Sequence, residues 1–231
     1  MDNILEIKDL TKRYVRKKAL NNISLSIPKG KVVGLLGPNG SGKTTFIKIV
    51  LGILTKTSGE VFIDGEEPSK KTRAFISYLP DRNYLYKWMT IKDAIKFFDD
   101  FYDDFDLEKA YELLEFMKLK DSLKVGELSK GMTEKLNLTL VLSRKAKLYI
   151  LDEPIAGVDP VAREQILDAI INNYNEDSSM IVTTHLVKDL ERIFNDVAFL
   201  SEGEIILTGD AEELRNEKNM SIDELYREVF R

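Results

Sequence analysis

The sequence predicts an α/β fold: a mostly parallel sheet covered by helices, preceded by an N-terminal antiparallel β subdomain and interrupted by a helical insertion. Three observations carry this expectation. Residues 3–35 alternate in the strand manner, residues 31–54 read as buried strand, glycine loop and helix, and after residue 145 apolar strand-length runs alternate with a helix-length segment. With 231 residues and no linker of biased composition, the chain is read as one domain spanning 1–231, long enough to bury a sizeable core.

The N-terminal strands are Ile4-Leu5-Glu6-Ile7 and Ile23-Ser24-Leu25-Ser26-Ile27, followed by a Pro28-Lys29-Gly30 turn. Lys31-Val32-Val33-Gly34-Leu35-Leu36 is a short buried strand that delivers Gly37-Pro38-Asn39-Gly40-Ser41-Gly42-Lys43-Thr44-Thr45. That stretch meets the G-x-x-x-x-G-K-[ST] pattern between a strand and a helix over 44–54, the context in which the pattern has a mechanism. Glycines let the backbone wrap phosphate, its N–H groups and the helix N-terminus supply positive potential, Lys43 adds charge, and the Thr44 hydroxyl suits Mg²⁺. The loop predicts a bound nucleoside triphosphate.

A helical subdomain is expected at about 82–145. Ile91, Ala94, Ile95 and Phe98 share one face, as do Leu107, Ala110, Tyr111, Leu114 and Met117. Lys147-Leu148-Tyr149-Ile150-Leu151 is then a buried strand ending in Asp152-Glu153, and a helix near 160–174 leads to the strand Met180-Ile181-Val182-Thr183-Thr184. Residues 211–231 read as a short C-terminal helix and a charged tail.

The strand ends carry the chemistry. In an open parallel sheet ligands gather at the carboxyl ends of strands, where the phosphate loop, Asp152 and the single histidine, His185, all fall. An Asp at such a strand end holds Mg²⁺ in phosphate-loop NTPases. Because successive strand residues point to opposite sides, Glu153 faces elsewhere and is the candidate general base. His185 is placed to contact the terminal phosphate; a solvated acidic strand end and a packed histidine are the competing readings, and the convergence of three strand ends disfavours both.

A net charge of −5 weighs against a nucleic-acid partner, despite a local basic cluster of Lys12, Arg13, Arg16, Lys17 and Lys18 that reads as a solvated loop beside the nucleotide. The absence of cysteine excludes disulfides and thiolate metal sites and is compatible with a cytosolic setting. The start, Met1-Asp2-Asn3-Ile4-Leu5-Glu6, lacks the features of a signal peptide, and no apolar run approaches the ~18 residues of a spanning helix. A membrane role is therefore expected through a partner.

These residues together resemble the nucleotide-binding subunits of ABC transporters, from Leu5 to about Gly209. Leu128-Ser129-Lys130-Gly131-Met132 looks like the family's signature loop, followed by a helix over 133–144. Ala156-Gly157-Val158-Asp159 matches the D-loop, Thr184-His185 the switch histidine, and Tyr14 stands where the family's aromatic stacks on adenine. The resemblance implies a phosphate-loop NTPase (RecA-like) core that uses ATP and Mg²⁺, with catalysis by Glu153 and His185 and metal binding at Thr44, Asp152 and Asp81. It also implies a head-to-tail homodimer or heterodimer, in which Ser129 and Gly131 of one subunit complete the ATP site of the other. Integral membrane subunits would then hold the dimer at the cytoplasmic face of the membrane.

Four positions depart from the family pattern. Asp81, after Tyr78-Leu79-Pro80, replaces a Gln; it is shorter and charged, yet a carboxylate can bind Mg²⁺. Lys130 and Met132 replace Gly and Gln in the signature loop, and Ala156 replaces a D-loop Ser. The Lys-Gly-Met signature and Phe98-Asp99-Asp100-Phe101-Tyr102 resemble bacterial exporter ATPases serving peptides, drugs and other amphipathic molecules. A soluble ABC-type ATPase and a non-hydrolysing regulatory subunit are the alternatives; the single cassette, the acidic charge, Glu153 and His185 weigh against them. In Tyr84-Leu85-Tyr86-Lys87-Trp88-Met89, Leu85 and Met89 are expected in the core and Trp88 at the docking site of a transporter helix.

Overall fold

Strand alternation at the N-terminus produces β1, Asn3–Arg13, and β2, Lys18–Pro28, which pair antiparallel. The computed structural model describes residues 2–15, 17–173 and 177–231. Met1, Arg16 of the basic cluster and Tyr174 at the end of the expected 160–174 helix lie outside them. The next elements are β3, Val32–Leu36, α1, Lys43–Val50, and β4, Ser58–Ile63, which joins β1 to give a small sheet of order β2-β1-β4. After α2, Lys70–Ala74, comes β5, Ile76–Leu79, and the insertion follows as α3, Ile91–Phe101, α4, Leu107–Phe116, and α5, Lys130–Leu142. The chain returns to the core through β6, Leu148–Asp152, α6, Pro160–Asn173, β7, Ser179–Thr184, and the short α7, Val187–Leu190. It closes with β8, Asp196–Ser201, β9, Glu204–Asp210, α8, Ala211–Lys218, and α9, Ile222–Val229.

Among the described residues the main sheet has the order β5-β6-β7-β3-β8-β9, parallel throughout except for β9. Both faces are covered, which explains why β3, β6 and β7 are apolar without alternation. Successive side chains nevertheless enter different layers. Val33, Leu35 and Ile150 pack with Phe46 and Ile47 of α1 and the small sheet, whereas Val32, Leu36 and Leu151 pack with the insertion and the C-terminal helices.

The insertion is fastened to the sheet edge by Arg144. Its guanidinium is 3 % exposed, pairs with Asp104 through Nε and Nη2, donates to the carbonyls of Ile76 and Ala74, and stacks over Tyr102 at 3.9 Å. Helix starts at Ile91, where the expected apolar face begins and Thr90 and Asp93 form a capping box. Two local readings differ from expectation. In α4 the core takes Leu113 with Ala110, Leu114 and Met117, while Leu107 and Tyr111 of the expected face are exposed. Residues 211–231 are not one helix and a charged tail: α8 and α9 fold back and bury Leu214, Ile222 and Leu225.

Candidate active site

The phosphate loop leaves β3 at Leu36 and enters α1 at Lys43. Two glycines are dictated by crowding. A Cβ at Gly37 would sit 2.2 Å from the Leu200 carbonyl oxygen, and Gly42, at φ +120°, would place one 2.6 Å from the Ala19 carbonyl oxygen. The back of the loop is tied by the β8–β9 turn: the Gly203 N–H donates to the Ser41 carbonyl at 2.9 Å, and the Gly203 carbonyl accepts from the Asn21 N–H at 2.8 Å.

Inside the loop, Lys43 is buried, and its Nζ donates to the carbonyls of Gly37 at 2.6 Å and Pro38 at 3.2 Å. Burial lowers its pKa against the pull of the Glu153 and Asp152 carboxylates. Asp152 ends β6 and is 2 % exposed; Oδ1 accepts from the Thr183 hydroxyl at 2.6 Å, and Oδ2 is buried with no hydrogen-bond partner among the described residues. Burial raises its pKa, opposed by the Thr183 bond and assisted by the charges of Asp81 and Glu153. Thr183, unnoticed in the sequence, is thus a working part of the site; its signal was a hydroxyl one residue from the end of an apolar strand.

Glu153 does not separate from Asp152 by strand alternation, since β6 ends at Asp152. It turns away because its backbone is left-handed, φ 54°, and its N–H donates to the Thr183 carbonyl at 3.0 Å. Such a conformation costs a non-glycine residue about 1–3 kcal/mol and persists only where the surroundings enforce it. The turn aims Oε2 at His185, whose Nδ1 is 2.8 Å away, while Oε1 lies 3.6 Å from Lys43 Nζ and has no hydrogen-bond partner among the described residues.

Tyr14, Lys17, Asn39, Gly40, Gly42, Lys43, Thr44, Thr45, Asp81, Asp152 and Glu153 line one cleft of about 280 Å³. Pro38 and Ser41 border the opposite side of the loop. Tyr14 is 47 % exposed with Lys12 Nζ 5.3 Å from its ring centre, and Lys17 of the basic cluster lines the cleft.

Ser129 and Gly131 are not on this cleft. Helix α5 begins at Lys130, not 133, because the Ser129 hydroxyl caps it by accepting from the Met132 N–H at 3.3 Å. Gly131 packs under Ala162 and Asp159 at the start of α6, and Lys130 Nζ lies over Gly157. The signature and D-loop segments therefore form one surface on the insertion side, with Ser129 exposed upon it.

Comparison with known proteins accounts for this arrangement. The family model described as ABC transporter matches residues 20–156. The ABC transporter ATP-binding protein YtrB of Bacillus subtilis (strain 168) is 34 % identical over 217 residues, covering 93 % of this chain and 74 % of that protein. The lantibiotic transport ATP-binding protein SrtF of Streptococcus pyogenes is 33 % identical, covering 88 % and 90 %. A solved structure described as the ATP binding subunit of an ABC transporter superimposes with a TM-score of 0.88 at 26 % identity, covering 99 % of this chain and all of that one. By matched span and by near-complete overlap in sequence and in space, this chain belongs to the ABC transporter family, as one of its ATP-binding ATPase cassettes.

Proposed function

We propose that the chain is the ATP-hydrolysing motor of an exporter, moving a peptide, drug or other amphipathic substrate through separate membrane subunits. Support comes from the similarity to SrtF, described as a lantibiotic transport protein, and from the Lys130-Gly131-Met132 signature. Among the described residues no helix is long and apolar enough to cross a membrane, so the membrane-spanning path belongs to partners and the cassette works as a peripheral subunit on the cytoplasmic face.

The observation that carries the catalytic reading is the Glu153–His185 hydrogen bond beside Lys43. The imidazole orients the carboxylate through Oε2 and leaves Oε1 free to take a proton from an attacking water. Lys43 and the loop N–H groups hold the phosphates, and Tyr14 stacks on adenine. Thr44, Asp152 and Asp81 would hold Mg²⁺, which suits the unpartnered, buried Oδ2 of Asp152; when bound, the ion neutralises charge on the phosphate oxygens. Ser129 and Gly131 of a second nucleotide-binding subunit, identical or not, complete the site across a dimer. Glu153→Gln tests the reading: ATP binding should persist, turnover should fall by about 10²- to 10⁴-fold, and the ATP-bound dimer should become stable on size exclusion. Near-wild-type turnover removes Glu153 from the role of base.

A further inference from the structure

The closing helix, α9, packs against elements that adjoin the catalytic centre. Its first turn is pinned to the segment behind His185: Glu191 Oε2 accepts from the Asp223 N–H at 3.0 Å, and Ile222 and Leu225 are buried in the same cluster as Val187 and Leu190 of α7. Its later turns are aromatic. Tyr226 lies edge-on to Phe199 at 5.9 Å, Phe230 stacks on the same ring at 5.9 Å, and the two are 4.6 Å from each other. Phe199 is fully buried in β8, in register with Leu36, the last residue before the phosphate loop. Val229 and Phe230 also wall a cavity of about 720 Å³ against Pro38, Asn39 and Ser41 on the loop's outer side.

One helix thus packs on the segment that follows His185 and on the strand beside β3, and faces the flank of the loop across that cavity. We propose that α9 is a strap on the catalytic centre and that Tyr226 is its positioning residue, keeping the Glu153–His185 pair in line with the phosphate loop. This rests on Glu153 being the general base. Burial first, and then the Glu153 charge, raise the Tyr226 pKa above the ordinary tyrosine value. A base that drifts loses rate rather than affinity, and a displacement of about 1 Å costs about 10²-fold.

The test is a double-mutant cycle in single-turnover ATP hydrolysis, with ATP affinity and thermal melting measured on every variant. Tyr226→Ala should lower the rate about 10- to 100-fold while ATP affinity stays within about twofold. In the Glu153→Gln background the same substitution should have no further effect, because a base already removed cannot be misplaced. Tyr226→Phe, which keeps the ring contacts, should restore the rate. If Glu153→Gln itself turns over normally, the base reading fails and Tyr226's role falls with it. If Glu153→Gln is inactive but Tyr226→Ala is fully active, or loses the same factor in both backgrounds, the base reading stands and the strap is overturned. Should Tyr226→Ala not fold, Phe230→Leu enters the same cycle with the same expected and overturning results.

Discussion

The core and the helical insertion place their candidate functional side chains differently. In the core, the ends of β3, β6 and β7 draw Lys43, Asp152, Thr183 and Glu153 into mutual contact, with acceptor oxygens of Asp152 and Glu153 left open among the described residues. In the insertion Asn137, Thr139 and Arg144 are buried as well, but Ser129 and Trp88 stand exposed, Trp88 at 68 %. Buried open acceptors suit a ligand held within the chain; an exposed helix N-terminus and an exposed indole suit something brought from outside. On the proposed reading, nucleotide binding is therefore a property of one chain and turnover a property of an assembly.

The largest expected effect after loss of Glu153 separates the two halves. Ser129→Ala should leave ATP binding to the isolated chain unchanged and lower turnover by about 10²-fold, the usual result of deleting one donor to a developing charge. Equilibrium binding and steady-state hydrolysis measure it. The substitution also removes a cap worth ~1 kcal/mol, so melting is recorded alongside, and a loss of ATP binding in the isolated chain would break the division.

Tyr14→Ala probes the other half. Stacking of a base on an aromatic is worth roughly 1–3 kcal/mol, so KM for ATP should rise by about 5- to 150-fold with kcat little changed. Unaltered affinity with lowered stability would make Tyr14 a packing residue.

Trp88→Ala addresses the outward face of the insertion. Tyr86 and Trp88 stack at 5.9 Å and are both exposed, while Leu85 and Met89 on either side of them in sequence are buried, as the sequence led one to expect. Truncating a central aromatic anchor costs about 2 kcal/mol, so the affinity for the membrane subunit in a pull-down titration should fall about 30-fold, with basal ATPase retained. Undiminished retention of that subunit would remove this face from docking.

The smallest effect lies where the two regions meet. Burial raises the Glu134 pKa to about 7, against the pull of Lys130 and with the push of Asp81. A carboxyl whose folded pKa exceeds its unfolded value binds its proton more tightly when folded, so stability falls as pH rises from the ordinary value of 4.5 through about 7. Glu134→Gln should flatten that slope and gain about 1 kcal/mol at about pH 8, allowing for partial exposure. Denaturant melts at about pH 5 and about pH 8 would show an unchanged slope if the carboxyl is merely solvated.

The same contrast governs what could be read from sequence. Gly37, Gly42, Lys43, Asp152 and His185 are constrained by backbone crowding and strand ends, and such constraints leave residue-type patterns. The insertion leaves weaker ones. Gly131 makes the signature segment look like loop, yet Ser129 caps a helix that already contains it, and the core selects Leu113 over Leu107 by tertiary packing that periodicity does not see. Strands β4, β5, β8 and β9 run four to seven residues, and unlike the equally short β3 and β6 they lead into no phosphate loop or Asp-Glu pair that marks them. In α9 Ile222, Leu225, Tyr226 and Val229 keep the helical spacing i, i+3, i+4, i+7, so periodicity does mark a second helix. The expectation of one helix and a charged tail over 211–231 passes over it by giving weight to Asp223, Glu224, Arg227 and Glu228.

The hydrogen bond from Gly203 to Ser41 has a use of its own in solution. Its amide lies outside the cleft, and its proton is released to solvent only when the Ser41 carbonyl lets go, so its exchange rate reports the opening free energy of the phosphate loop without a nucleotide analogue or a label. The neighbouring Asn21 amide hangs on the carbonyl of the same glycine. Joint loss of protection at both amides marks the β8–β9 turn leaving as a unit, whereas loss at Gly203 alone marks the loop moving on its own.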